Sequence, residues 1–314
     1  MPRCVDCGTE TPREEMYGPP DELRCPKCVQ RRFPTTNVPT RHRSSFFLRW
    51  PPVTTFAVAT AVVVTLLYWC SFPVLRWLAA DPEGIERIWD GQLWRLLTSV
   101  FPHPHPLHLV FNLVFIWRFG KATEQWMGSL RFAGFFLATA VGPLAAEVLG
   151  GGSGVGLSGV GYGLFGFLYA LRRDEPFAAE QMTPGVVKTL VFWFFLCIFL
   201  TYANILPVAN VAHGAGAVIG WLFGQAVLSR RQLLATVGVS LLCVALALAT
   251  LYMPWNGLYD FHRGDVCGKK KDYAGALNWY QLAAERLTGE NQEAARHNVE
   301  WAKYMLTHPD EDGE

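Results

Sequence analysis

Apolar residues along this chain gather into long blocks instead of alternating with polar ones. The blocks run at about 53–77, 107–127, 132–149, 157–171, 186–202, 208–228 and 233–252. A helix needs ~20 consecutive apolar residues to cross the hydrocarbon of a bilayer. Several blocks meet that length, and the shorter ones suit helices enclosed by neighbours. The pattern predicts an all-α polytopic membrane protein with seven spans and a long first loop at 78–106. It divides the chain into a polar head at 1–33, a basic linker at 34–52 and a six-span core at 53–230. A seventh span follows at 231–254, then a soluble helical tail at 258–314.

Composition agrees. Of 314 residues, 51% are hydrophobic and only 17% charged, whereas soluble domains carry about a quarter charged residues. The net charge of +1 gives no electrostatic reason to expect a nucleic-acid partner. The first residues are polar and contain no apolar signal-peptide region, so the first span is the expected insertion signal. Basic residues beside the spans (Arg41, Arg43, Arg49, Arg131, Arg172, Arg173, Lys188, Arg230, Arg231) fall on alternate loops, while 150–156 and 203–207 contain none. That bias places the N-terminus in the cytoplasm of a multi-pass protein, expected in the cell membrane. Arg76, Arg87 and Arg95 in the first outer loop run against it.

The head carries Cys4, Cys7, Cys25 and Cys28 as C-x2-C-x17-C-x2-C. Two such knuckles direct four thiolates at one point, the arrangement of a structural zinc ribbon. So few apolar residues could not hold a fold without the ion. Two disulfides are the alternative; a reduced site fits a cytoplasmic head. Four thiolates leave no open coordination position, which suits a protein-binding role better than catalysis.

The tail predicts two amphipathic helices at about 272–287 and 291–306. Tyr273, Ala276, Leu277, Tyr280 and Ala284 are placed as in a tetratricopeptide-like unit, although an ordinary helical hairpin reads equally well. One unit cannot bury its own face, so the tail is expected to dock on a partner. Seven spans put it outside the cell, yet Lys269, Lys270 and Lys271 at its start favour the cytoplasm.

Polar side chains within apolar spans are costly and point to function. His108 and Asn112 are four apart on span two, and Ser158 and Tyr162 are four apart on span four. His213 lies just inside span six. All enter from the outer side at similar depth. Gly159 and Gly163 on span four and a second stripe, Gly216, Gly220 and Gly224, on span six are small residues at the spacing that lets helix backbones approach closely, if the two stripes face each other. Ser158 could then reach His213, the base that its weakly nucleophilic hydroxyl requires. The N–H of Ser158 at a helix start, with Asn112 and His108, could receive a developing oxyanion. No carboxylate is placed to orient His213, so the pair would act as a dyad.

The segments "GLSG" at 156–159, "AHGAG" at 212–216 and "HLVFN" at 108–112 resemble those of rhomboid intramembrane serine proteases. So do "WR" at 94–95 and Glu124 at the end of span two. The resemblance covers about residues 50–230. It implies a rhomboid-like six-helix core, Ser158 as nucleophile and His213 as general base. It also implies oxyanion and supporting roles for His108, Asn112 and Gly156, with Tyr162 stacked on the histidine. Catalysis would need no cofactor, zinc being confined to the head. The expected substrates are single-span membrane proteins in the lipid bilayer, cut near the outer end of a helix that unwinds. An inactive client-binding relative and a transporter are the competing classes. Two features depart from the family pattern: the glycine-rich loop before Ser158 and Glu147, expected to snorkel to the interface.

Overall fold

The computed structural model describes residues 1–18, 22–32, 50–70, 77–79 and 85–308. Most of the basic linker and the end of the first apolar block lie outside the described residues. Fifteen α-helices are described, in chain order. In the head is α1 (Pro26–Arg32), and the first membrane helix is α2 (Pro52–Trp69). The first loop contains α3 (Ile85–Trp89) and α4 (Arg95–Thr98). Span two is α5 (Pro106–Phe115), a π turn at Ile116–Gly120 and α6 (Lys121–Met127). Then come α7 (Ser129–Leu149), α8 (Ser158–Leu171) and the short α9 (Pro176–Gln181). Spans five to seven are α10 (Pro184–Tyr202), α11 (Asn210–Leu228) and α12 (Gln232–Ala249). The tail is α13 (Gly257–Lys269), α14 (Tyr273–Arg286) and α15 (Gly289–Thr307).

The seven predicted spans are all helical, with adjusted ends. Among the described residues, five helices are long and apolar enough to cross a membrane: α2, α7, α10, α11 and α12. The α8 helix is shorter, and span two is broken by its π turn. Burial explains the short one. Most of the α8 side chains are covered, so its length is matched to protein neighbours and not to lipid. Of the most apolar stretch of α7, 67% is buried, against 6% for α10 and for α12. The centre of the core is therefore α7, α8 and α11. Phe135 joins them, lying 5.1 Å from the Phe167 ring and 5.5 Å from Phe223.

Contact between α8 and α11 is made through glycine. A methyl group on Gly220 would collide with the Gly163 carbonyl, and one on Gly216 with the Gly159 carbonyl. Hydrocarbon supplies no hydrophobic drive between helices, so close backbone approach and dispersion hold this pair. At the ends, buried carboxylates act as caps. Glu124 accepts from the Val53 and Thr54 N–H groups at 3.0 and 2.8 Å and from Thr54 Oγ1 at 2.7 Å. These are free donors at the start of α2, which have no partner within the helix.

The chain divides into two compact units, residues 1–82 with 93–247, and residues 83–92 with 248–314. In the first, the head folds around its cysteines with short antiparallel bridges at Arg3–Glu10 and Tyr17–Arg24. The Gly18 N–H donates to Glu180 at 3.3 Å, so the head touches the segment between spans four and five. In the second, the tail has one helix more than the sequence pattern suggested. The α13 helix is nearly balanced between apolar and polar positions and follows the last span closely, which hid it. Its Tyr259 meets Trp89 of the first loop edge-on at 5.4 Å, and His262 Nε2 lies 3.0 Å from Asp90. Asp260 is wholly buried and pairs with Arg286 at 2.5 Å. Burial pushes the Asp260 carboxyl pKa up despite the guanidinium. The docking partner expected for the tail thus includes a piece of this same chain.

Replacing Gly220 with alanine is expected to lower stability by about 1–3 kcal/mol through overpacking. Gly238→Ala, where nothing lies within 4 Å, should leave it unchanged. Thermal unfolding in detergent compares the two.

Candidate active site

Ser158 is the first residue of α8, half-buried at the end of a glycine-rich loop. Gly156 sets up this entry. Its φ of +104° is a conformation that other residues rarely adopt, and a Cβ there would meet His108 Cε1 at 2.7 Å and the His103 ring at 3.2 Å. Its N–H donates to the Ser99 carbonyl at 2.9 Å. The Leu157 N–H donates to His103 Nε2 at 3.2 Å.

Sequence reasoning passed over His103, which is fully buried. Its Nδ1 lies 2.8 Å from the Phe101 carbonyl. A carbonyl can only accept, so the proton sits on Nδ1 and Nε2 is free to accept from Leu157. Burial, reinforced by His108, holds this imidazole neutral, with its pKa pushed down to about 3. The end of α2 braces the same stretch, Trp69 Nε1 donating to the His103 carbonyl at 3.1 Å. The available signal was a histidine between two prolines five residues before His108. Proline fixes the backbone there, and a buried ring can then serve as a rigid acceptor.

His213 is the fourth residue of α11 and 5% exposed. Its Nε2 lies 2.8 Å from Ser158 Oγ. The Tyr162 ring packs over the imidazole, centroids 4.7 Å apart and planes at 31°. Nδ1 is buried without a hydrogen-bond partner among the described residues, so no carboxylate orients the ring directly. The hydroxyl, imidazole and tyrosine ring are thus brought together.

His108 and Asn112 lie on the facing wall. The His108 ring stands edge-on to His103 at 4.9 Å and closely covers Gly156. Asn112 Nδ2 donates to the His108 carbonyl at 3.0 Å. An amide nitrogen has two hydrogens, so a second stays available for an acceptor. As the first helical residue, Ser158 also has an N–H with no acceptor inside the helix. Small residues line the cleft beside Ser158, among them Ser99, Gly154, Ala209 and Ala212.

Such a constellation can activate a hydroxyl and stabilise an oxyanion. Residues 90–231 match the rhomboid domain. Over that segment the chain is similar to the rhomboid family. It is 31% identical over 178 residues to rhomboid protease GlpG of Photorhabdus laumondii, which covers 54% of this chain and 60% of that protein. It is 28% identical over 165 residues to rhomboid protease GlpG of Yersinia pestis, covering 52% and 57%. The chain thus spans less than two thirds of the length of these relatives. Every rhomboid-like site residue named above lies inside the matched segment, and the cysteine head and the tail lie outside it.

Two further residues named from the rhomboid pattern are structural. Arg95 is buried and donates to the Ala79 carbonyl at 2.7 Å, tying the first loop to itself. Glu124 caps α2 as described. Glu147 is a correction: instead of snorkelling to the interface it is 8% exposed, and its Oε2 accepts from the Ala212 N–H at 2.8 Å. Unpaired helix-start donors in a non-aqueous setting attract a carboxylate more strongly than the interface does.

In the head, the four cysteine sulfurs lie within 4.8 Å of one another. All four are free thiols. That cluster could hold one metal ion.

Proposed function

We propose that this chain is an intramembrane serine endopeptidase that hydrolyses a peptide bond in or near the transmembrane helix of a single-span membrane protein. The 2.8 Å contact between Ser158 Oγ and His213 Nε2 carries the reading. Ser158 Oγ attacks the scissile carbonyl while His213 takes its proton. The tetrahedral oxyanion is held by the Ser158 N–H, Asn112 and His108, donors contributing about 2.7–4 kcal/mol each in comparable sites. His213 then returns the proton to the leaving amine, and the C–N bond breaks. A water, deprotonated by the same imidazole, releases the acyl group and restores the serine. No cofactor takes part. The small-residue cleft beside Ser158 supports a preference for unwound segments with small side chains.

In the head, the sulfur cluster supports zinc bound by Cys4, Cys7, Cys25 and Cys28. Zn–S bonds near 2.3 Å put tetrahedral sulfurs about 3.8 Å apart, and Cys7 and Cys25 are already 3.6 Å apart. The ion would supply folding energy to a segment whose own core is very small, leaving its surface for a protein partner.

Loop charge and head chemistry support a cytoplasmic N-terminus. The first loop follows span one and the tail follows span seven. Their packing through Trp89, Tyr259 and His262 supports a shared location outside the cell, against the pull of the lysines.

Ser158→Ala is expected to abolish both cleavage of a single-span reporter and labelling by a fluorophosphonate, without lowering the thermal midpoint; retained cleavage would remove the serine from the mechanism. Purified protein should contain one zinc per chain by elemental analysis, falling to none in a Cys25→Ser/Cys28→Ser variant; zinc persisting in that variant rules out the site. In intact cells, an impermeant protease should digest the tail and spare the head, and the reverse pattern inverts the topology.

A further inference from the structure

His213 reaches Ser158 from the first turn of α11, where the Tyr162 ring packs on its imidazole but no hydrogen bond among the described residues to the ring's second nitrogen sets its direction. Ala209, preceding the helix, offers no side-chain acceptor, and the first turn contains no acidic residue. The imidazole Nδ1 has no hydrogen-bond partner among the described residues. Two other spans hold the turn: Asn210 Nδ2 donates to Thr201 Oγ1 of α10 at 2.9 Å, and α7 reaches the residue beside the histidine. Glu147, near the end of α7, lays its carboxylate against the start of α11 and accepts the N–H of Ala212, the residue just before His213.

The glycine-rich loop closes over that carboxylate. The Gly152 N–H donates to the Glu147 carbonyl at 2.9 Å, and Gly152 lies so close that any Cβ would collide with the Glu147 carboxylate. The two departures from the rhomboid pattern are therefore one device. An acid on span three needs a loop without side chains above it. The same chemistry recurs at the other end of the core, where Glu124 caps α2 across 70 residues of sequence.

We propose that Glu147 is a positioning residue for the general base, fixing the first turn of α11, and hence the imidazole of His213, against Ser158. It acts through the backbone, where familiar triads orient the imidazole through its second nitrogen. The anchor is well chosen, because α7 is the most buried of the long spans. An error of about 1 Å at such a contact costs on the order of 100-fold in reactivity. The oxygen matters as an acceptor, so a neutral amide at 147 should suffice.

This inference rests on Ser158 and His213 being the reacting pair. The test is fluorophosphonate labelling of the full chain in detergent micelles, resolving the maximal rate of labelling from the half-saturating probe concentration. Glu147→Ala should cut the maximal rate on the order of 100-fold with little change in half-saturation. Glu147→Gln should restore it to near wild type. Gly152→Ala, which keeps the acid and displaces it, should behave like Glu147→Ala. Thermal midpoints show that each variant is folded. Folded Glu147→Ala or Gly152→Ala labelling at the wild-type rate overturns the proposal, as does a folded Glu147→Gln as slow as alanine. If Glu147→Ala does not fold, the glutamine and Gly152 variants decide. Wild-type protein that fails to label at all defeats the hydrolase reading instead.

Discussion

Two helices that touch backbone to backbone set the scale for everything else in this molecule. The α8 and α11 helices approach until a single methyl group on Gly216 or Gly220 of α11 would meet a carbonyl oxygen of α8. Only at that separation can a side chain as short as serine span to an imidazole on the facing helix. The site is thus a consequence of packing before it is one of chemistry. Its polar atoms are few, and their spacing is inherited from atoms that take no part in any reaction.

A non-aqueous surrounding imposes the second rule. Donors at helix starts have no water to turn to, and each unsatisfied group costs several kcal/mol. The chain answers with acceptors borrowed from distant segments: Glu124 for α2, Glu147 for α11 and His103 for the N–H of Leu157. Each borrowed bond also ties two spans together. Satisfying the backbone and fixing the geometry of the site become the same act.

Much of this was legible in the order of residues, for identifiable reasons. Spans are read from long apolar blocks, and Ser158, Tyr162 and His213 stand out because polar groups in such blocks are rare. The glycine stripes told which faces would meet. Two acceptors were misjudged for one reason. His103 and Glu147 serve backbone N–H groups 54 and 65 residues away, and no local spacing announces a partner that far off. The third tail helix was hidden because most of the covered positions of α13 are polar or glycine, among them Asp260, His262 and Gly264. Its covered residues, Tyr259 and His262, face Trp89 and Asp90 in the first loop, a pairing that only the fold brings about.

That pairing has a consequence for how the chain can be cut. Ile85, Ile88 and Trp89 are all buried, and together with the tail they make up the smaller unit. Excising residues beyond the last span would strip Trp89 of its contacts with Tyr259 and His262 and leave an apolar knob on the first loop. A fragment that keeps the first loop and drops the tail would therefore need this knob rewritten in polar residues before it could be handled without clumping.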